Sequence, residues 1–206
     1  MIEDWPRVDS FGVTAGKVPS TISYQNGEPY HWGYAVGSEE QSFNRFKSLL
    51  EFTDKDDQMP NEVTEALKQF HAFHTSPELV VTDYLRLIWE YTQKDIGKIL
   101  GDDWDFLYTL KIVLTVPAIW SYSAVASLKS VAVGAGLGDN LALTTELEAA
   151  ALAYVRTWKE DANFPRVGDS FVVCNAGSTT VDVITYKVVA TEPSRVEEYA
   201  SGDGSC

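Results

Sequence analysis

Basic residues are scarce in this chain. Its 16 lysines and arginines face 30 aspartates and glutamates, a net charge of −14. A surface that grips nucleic acid neutralises phosphates with Lys and Arg, so this balance argues against one. A local phosphate site stays open, because backbone N–H groups can bind anions inside an acidic protein. Cysteine is nearly absent as well. Cys174 and Cys206 are too few for a disulfide framework, and a reduced, cytoplasmic setting is the expectation. No apolar run approaches the length of a membrane span, and the start "MIEDWPRVDS" lacks the apolar core of a signal peptide. A soluble protein without membrane or nucleic-acid partners is expected. There is no G-x-S-x-G, no H-E-x-x-H and no paired cysteine ligand set, so acyl-transfer and zinc chemistry have no support.

What is present is core material. Of the 206 residues, 45% are hydrophobic and 12% aromatic, enough for one ordinary domain or two small lobes. "KVPSTISYQNGEPYHWGYAV" reads as two short strands joined at Asn26-Gly27. In "SEEQSFNRFKSLLEF", Phe43, Phe46, Leu49 and Leu50 fall at helical spacing with Ser38 as a candidate N-cap. The clearest helix starts at "SPELVVTDYLRLIWEY", where Ser76 caps, Pro77 takes the first turn and Glu78 faces the positive helix end. Val80, Tyr84, Leu87, Ile88 and Tyr91 form its apolar face.

Further on, "LKIVLTVP" predicts a buried strand stopped by Pro117, "SYSAVASLKSVAVGAG" a helix ending at Gly134 or Gly136, and "LALTT" a short strand. "ELEAAALAYVRTW" predicts another helix. Strands alternating with helices after residue 107 favour an α/β sheet. The acidic stretches "DKDD" (54–57) and "GDDWD" (101–105) read as solvated loops. "GAGLG" (134–138) ends a helix rather than opening one, which favours a C-terminal cap over a dinucleotide fingerprint. His71 and His74 lie three apart, but two ligands make no zinc site, and surface positions are expected.

"CNAGSTTVD" (174–182) is the stretch with chemical content. A loop of Gly, Ser and Thr between two β-runs, closed by an Asp, fits either a phosphate cradle or a plain hairpin turn. Together with "LTVPAIWSYSAVASLKSVAVGAGL" (114–137) and "TTELEAAALAY" (144–154), it resembles, in order and spacing, the actin-like ATPase superfamily. More narrowly, the set is similar to the nucleotide-binding domain of the seventy-kilodalton heat-shock chaperones, in the divergent branch common in fungi. That family has a V-P-A strand end, an Ala-rich helix, an E-P-x-A-A-A segment and a D-x-G-G-G-T-x-D hairpin. "KVPSTISY" and "FNRFKSLL" match where it has a T-P-S strand and a lysine-bearing helix.

The resemblance implies an α/β fold of the ribonuclease-H-like, actin-like type, incomplete, with most of lobe I and the start of lobe II. The implied division is an extension over 1–16, a peripheral subdomain over 17–106, part of a core subdomain over 107–166, and the opening strands of lobe II over 167–206. It implies ATP with Mg²⁺ as ligand, and co-chaperones or client proteins as partners within a longer chain. Lys47 falls where the family lysine approaches the terminal phosphate, and Glu146 on the glutamate that holds magnesium-bound water. Asn175, Gly177, Ser178, Thr179 and Thr180 fall in the phosphate-clamping hairpin, and Asp182 on its closing aspartate. No residue is assigned as a direct metal ligand. Phosphoryl transfer asks for this kind of set: N–H donors, a cation, and carboxylates that orient metal and water.

The departures point the other way. Asn175 replaces an aspartate, Ser178 and Thr179 replace glycines, Leu147 replaces a proline, and Val125 stands where an arginine is usual. Side chains at 178 and 179 restrict the backbone and crowd a phosphate. "MIEDWPRVDSFGVTAGK" has no G-I-D-x-G-T-T hairpin, and "SGDGSC" closes the sequence before an adenosine pocket, as in a fragment or a decayed relative. Weak ATP binding with little or no hydrolysis is therefore expected. The alternative is a non-catalytic interaction module, a pseudo-ATPase remnant that kept the fold and lost the site.

Overall fold

The computed structural model describes residues 2, 5–6, 16–52, 59–157, 166–176 and 181–205. The chain is a mixed α/β protein whose described strands form three sheets. It divides into two compact units, Met1–Lys111 with Tyr122–Asn140, and Ile112–Ser121 with Leu141–Cys206. No described helix is long and apolar enough to cross a membrane.

The first unit opens with the expected hairpin, β1 (Thr21–Gln25) and β2 (Glu28–Trp32). Asn26 and Gly27 sit at φ 54° and 85°. Two successive positive-φ residues make the type I′ turn that matches strand twist, which is why Asn-Gly stands there. A third strand, β3 (Ser42–Asn44), pairs with the other edge of β1 through Phe43 and Ile22.

The helix expected from Ser38 onward is therefore not formed. Ser42–Asn44 is strand, Arg45 turns at φ 53°, and only Phe46–Glu51 coils, as a 3₁₀ helix. The apolar spacing has a different cause. Phe43 belongs to the sheet, while Phe46 and Leu49, three apart, eclipse on one side of a 3₁₀ turn and are buried with Leu50.

Helices α1 (Asn61–Ala72) and α2 (Pro77–Leu100) follow. The Ser76 hydroxyl accepts from Leu79 N–H at 3.3 Å, with Pro77 in the first turn. Val80, Val81 and Tyr84 are buried on α2. An aromatic cluster ties the helix to the sheet: Trp32 lies edge-on to Tyr84 at 6.1 Å and to Tyr91 at 6.0 Å, and Phe46 meets Tyr84 at 5.1 Å. The Tyr84 hydroxyl donates to the Pro19 carbonyl at 2.7 Å, and burial pushes its phenol up to about 12. After Gly101 comes a one-turn helix, α3 (Trp104–Leu107), so "GDDWD" is not all loop, and Trp104 is buried.

Helix α4 (Tyr122–Gly134) packs on α2, with Gly134 passing close to Thr82. Its end is a Schellman cap. Leu137 N–H bonds to the Ala132 carbonyl at 3.1 Å, Gly136 N–H to Val133 at 3.0 Å, and Gly136 takes φ 87°. "GAGLG" thus terminates a helix, as its place in the sequence predicts.

The second unit holds a parallel pair, β4 (Ile112–Val116) and β5 (Leu141–Thr145), in register from Ile112 with Leu141 to Val116 with Thr145. Helix α5 (Glu146–Thr157) starts where β5 ends. An antiparallel meander follows, β6 (Ser170–Ala176), β7 (Val181–Thr191) and β8 (Ser194–Ser205). The strand–helix alternation stops there. On β7, Asp182, Ile184, Tyr186 and Val188 are buried while Val181 and Val183 are exposed, the period-two signature of a sheet covered on one face. Leu147 and Ala151 of α5 pack with Ile184 and Tyr186, against Phe171, Val173 and Val196.

Candidate functional site

The site grows from the junction of β5 and α5. Thr145 caps the helix, its hydroxyl accepting from Glu148 N–H at 3.0 Å. The spacing Thr145-x-x-Glu148 is that of a capping box, but the Glu148 carboxylate accepts from the Thr144 hydroxyl at 2.8 Å. Glu146 and Glu148 both lie in the first helical turn, where the helix dipole favours negative charge. Glu146 is half-buried.

The β6–β7 hairpin supplies the opposite wall. Asn175 and Asp182 are register partners, so their side chains share the inner face. The Asn175 amide donates from Nδ2 to Glu146 Oε2 at 3.1 Å. Asp182 is only 2% exposed. Two residues along the same face from Ile184, Tyr186 shares a side-chain hydrogen bond with Thr145. Burial raises the Tyr186 phenol, and Glu148 and Glu198 add to the rise.

Residues from two separate sequence motifs thus meet within the second unit. Glu146 and Asn175 touch directly, and Asp182 lies across the hairpin from Asn175. Lys47 sits on the Phe46–Glu51 3₁₀ helix of the first unit, half-buried. Gly177, Ser178, Thr179 and Thr180 lie outside the described residues. Leu147, which takes the place of a family proline, is core: it is 2% exposed and anchors α5 to the sheet. Val125 is half-buried on α4.

Two carboxylates and an amide offer hard oxygen ligands and one N–H donor pair. Magnesium is commonly held by one or two carboxylates together with substrate phosphates. Among the described residues no group of three or more His, Cys, Asp or Glu could hold a metal ion. Cys174, beside Asn175, is exposed on the outer face of β6. His71 and His74 are both exposed, and His74 takes the left-handed position after α1 at φ 52°, a capping role.

Sequence reasoning missed a polar cluster in the first unit. The Glu40 carboxylate accepts from Ser23 Oγ at 2.7 Å, from His31 Nδ1 at 2.9 Å and from Gly37 N–H at 3.2 Å. The bonds from Ser23, then His31, hold Glu40 below the usual glutamate range. The carboxylate stands between hydroxyl and imidazole, so the ring is not placed to activate the serine as a nucleophile. Ser23 is buried and accepts from His31 N–H at 3.2 Å. This is a clamp for the β1–β2 hairpin. Nothing in the sequence announces it, because it depends on strand register and a loop return.

No family model matches the chain, and no curated protein shows significant similarity to it.

Proposed function

We propose that the chain is a nucleotide-binding domain of the heat-shock-70-like, actin-like ATPase kind, with a ribonuclease-H-like core, that binds ATP weakly and turns over little or none. The Asn175–Glu146 hydrogen bond carries this reading. Glu146, which the resemblance assigns to magnesium-bound water, and Asn175, which it assigns to the phosphate-clamping hairpin, come from distant parts of the sequence and touch, with Asp182 across the hairpin. That support is independent of how the motifs were first noticed.

The same bond favours weak activity. An aspartate at 175 would crowd a third carboxylate against Glu146 and Asp182, and a divalent cation would relieve the repulsion. The Asn175 amide satisfies Glu146 without a cation, which lessens the pull on magnesium. When bound with ATP, magnesium would neutralise phosphate charge, and Glu146 would hold its bound water, with Asp182 across the hairpin from Asn175. Lys47, in the first unit, and residues 177–180 enter this proposal through the resemblance alone. A cytoplasmic setting and co-chaperone or client partners belong to the same proposal.

The second reading, an interaction module that no longer binds nucleotide, is favoured by the same occupied Glu146 carboxylate. Titration with a fluorescent ATP analogue, with and without Mg²⁺, separates the two. Weak saturable binding that Glu146→Ala and Asp182→Ala both reduce supports the nucleotide reading. Absence of binding at millimolar analogue gives the interaction module. Steady phosphate release that Glu146→Ala abolishes overturns the claim of low turnover. Asn175→Asp should make whatever binding exists more dependent on magnesium.

A further inference from the structure

The corner between α2 and α3 shows what a folded chain normally hides. Ile99 is 75% exposed, Phe106 91% and Leu107 71%, with Leu100 and Tyr108 also open. These five large apolar side chains fall within ten residues, 99–108. The corner is nonetheless ordered from within. Gly101 N–H bonds to the Gly97 carbonyl at 2.9 Å, Tyr108 N–H bonds to Trp104 at 3.0 Å, and Trp104 is buried against Gly97. The apolar side chains are thus held outward by a fixed turn. Exposed apolar groups so concentrated mark an interaction surface.

The charge around them selects the partner. Asp102, Asp103 and Asp105 are all exposed; of the lysines that flank the stretch, Lys98 pairs with Asp95 at 3.6 Å, and Lys111 lies beyond it, so aspartates still outnumber the unpaired cation. We propose that this corner docks a basic amphipathic segment of another protein, one that sets Leu or Phe side chains on Ile99, Phe106 and Leu107 and Lys or Arg side chains on the three aspartates. The inference does not rest on the nucleotide reading.

Other occupants fit less well. Two copies meeting through this corner would bring the same aspartates face to face, inside a chain of net charge −14. An anionic membrane would meet the same repulsion. A basic segment gains from both features: apolar burial supplies affinity, while the aspartates set orientation and speed encounter.

The test uses the full chain and a fluorescein-labelled Leu/Lys amphipathic peptide, followed by anisotropy. Saturable binding in the micromolar range is expected, weakening as salt rises, with no binding of the Leu/Glu counterpart. Asp102→Asn with Asp103→Asn and Asp105→Asn should weaken it about tenfold or more, as should Phe106→Ser with Leu107→Ser. The serine pair touches only exposed positions, so circular dichroism should be unchanged. A control triple, Glu62→Gln with Glu197→Gln and Glu198→Gln, removes equal charge elsewhere. Equal weakening by the control shows a bulk-charge effect and overturns the proposal. So does unchanged binding in both corner variants. Concentration-dependent self-association that the serine pair abolishes would assign the corner to a second copy instead, and would also overturn it.

Discussion

Each of the two units has its own internal packing chemistry. The first is aromatic and cross-linked by polar side chains. Trp32, Phe46, Tyr84 and Tyr91 meet edge-on, and Phe43 packs on Phe70 with centroids 4.4 Å apart. Its polar groups reinforce that packing: Tyr24 donates to Asp83 at 2.9 Å, and Arg86 holds the same carboxylate at 2.9 Å. The second unit is leaner. Leu147, Ala151, Ile184 and Tyr186 form its core, one helix against one face of a three-stranded sheet. Its polar groups gather at one end, where Glu146 and Asp182 flank Asn175. Polar residues in the first unit fix the packing. In the second they gather where α5 begins and the β6–β7 hairpin closes.

Phe46→Ala should break the first unit most severely. The ring is 2% exposed and wedged against Tyr84, so its loss should cost about 3–5 kcal/mol. Trp5, Trp32, Trp89 and Trp104 belong to this unit and Trp120 and Trp158 to the second, so tryptophan fluorescence should weight the unfolding of the first. A large drop in the fluorescence-detected melting temperature is expected, and an unchanged one would mean the aromatic cluster is not a core. Leu147→Ala is the matching cut in the second unit. It should cost about 2–3 kcal/mol, because the half-buried neighbours Phe171 and Val173 can settle into the gap. Far-ultraviolet circular dichroism should shift more than tryptophan fluorescence. Equal shifts in both signals would show that the two units melt as one.

Legibility followed the range of the interactions. The β1–β2 turn, the Ser76 cap, the α4 terminus and the β4, β5 and α5 segments are local and were readable from neighbouring residues. The stretch 38–52 was not. Its apolar pattern of Phe43, Phe46, Leu49 and Leu50 imitates a helix, and only the pairing of Phe43 with Ile22, a distant residue, makes part of it strand. Of the candidate site, the resemblance names Glu146, Asn175 and Asp182, but it does not give the bond between the first two. An amide in place of a carboxylate looks like a loss in the sequence. In three dimensions it is a donor that satisfies Glu146.

A subtler probe of the first unit is pH. Glu40 is held below the usual glutamate range by the Ser23 and His31 bonds. A carboxylate depressed in the folded state favours folding above its unfolded pKa, and that contribution fades as pH falls through its folded value. Urea midpoints should therefore decline on acidification through the carboxylate range more steeply in the parent chain than in Glu40→Gln. Ser23→Ala should flatten the decline partly, since it removes the larger of the two causes. A Glu40→Gln profile parallel to the parent would show that the clamp contributes nothing to stability.

The smallest effect concerns two helix ends with one geometry. Thr75 N–H bonds to the Phe70 carbonyl at 3.0 Å and His74 N–H to His71 at 3.0 Å, so α1 closes with the same Schellman pattern as α4. At the left-handed position α4 has Gly136 at φ 87°, and α1 has His74 at φ 52°. A side chain in that conformation costs roughly 1–2 kcal/mol. Glycine would remove this cost but would loosen the unfolded chain, which returns roughly 0.5–1 kcal/mol of it. His74→Gly should therefore stabilise the first unit by only about 0.5 kcal/mol, and Gly136→Ala should destabilise it by about 1 kcal/mol. Opposite signs at matched positions, measured by urea midpoints, would confirm that the two caps are equivalent. A destabilised His74→Gly chain would mean that the imidazole does more than occupy the cap, and the comparison of the two helix ends would fail.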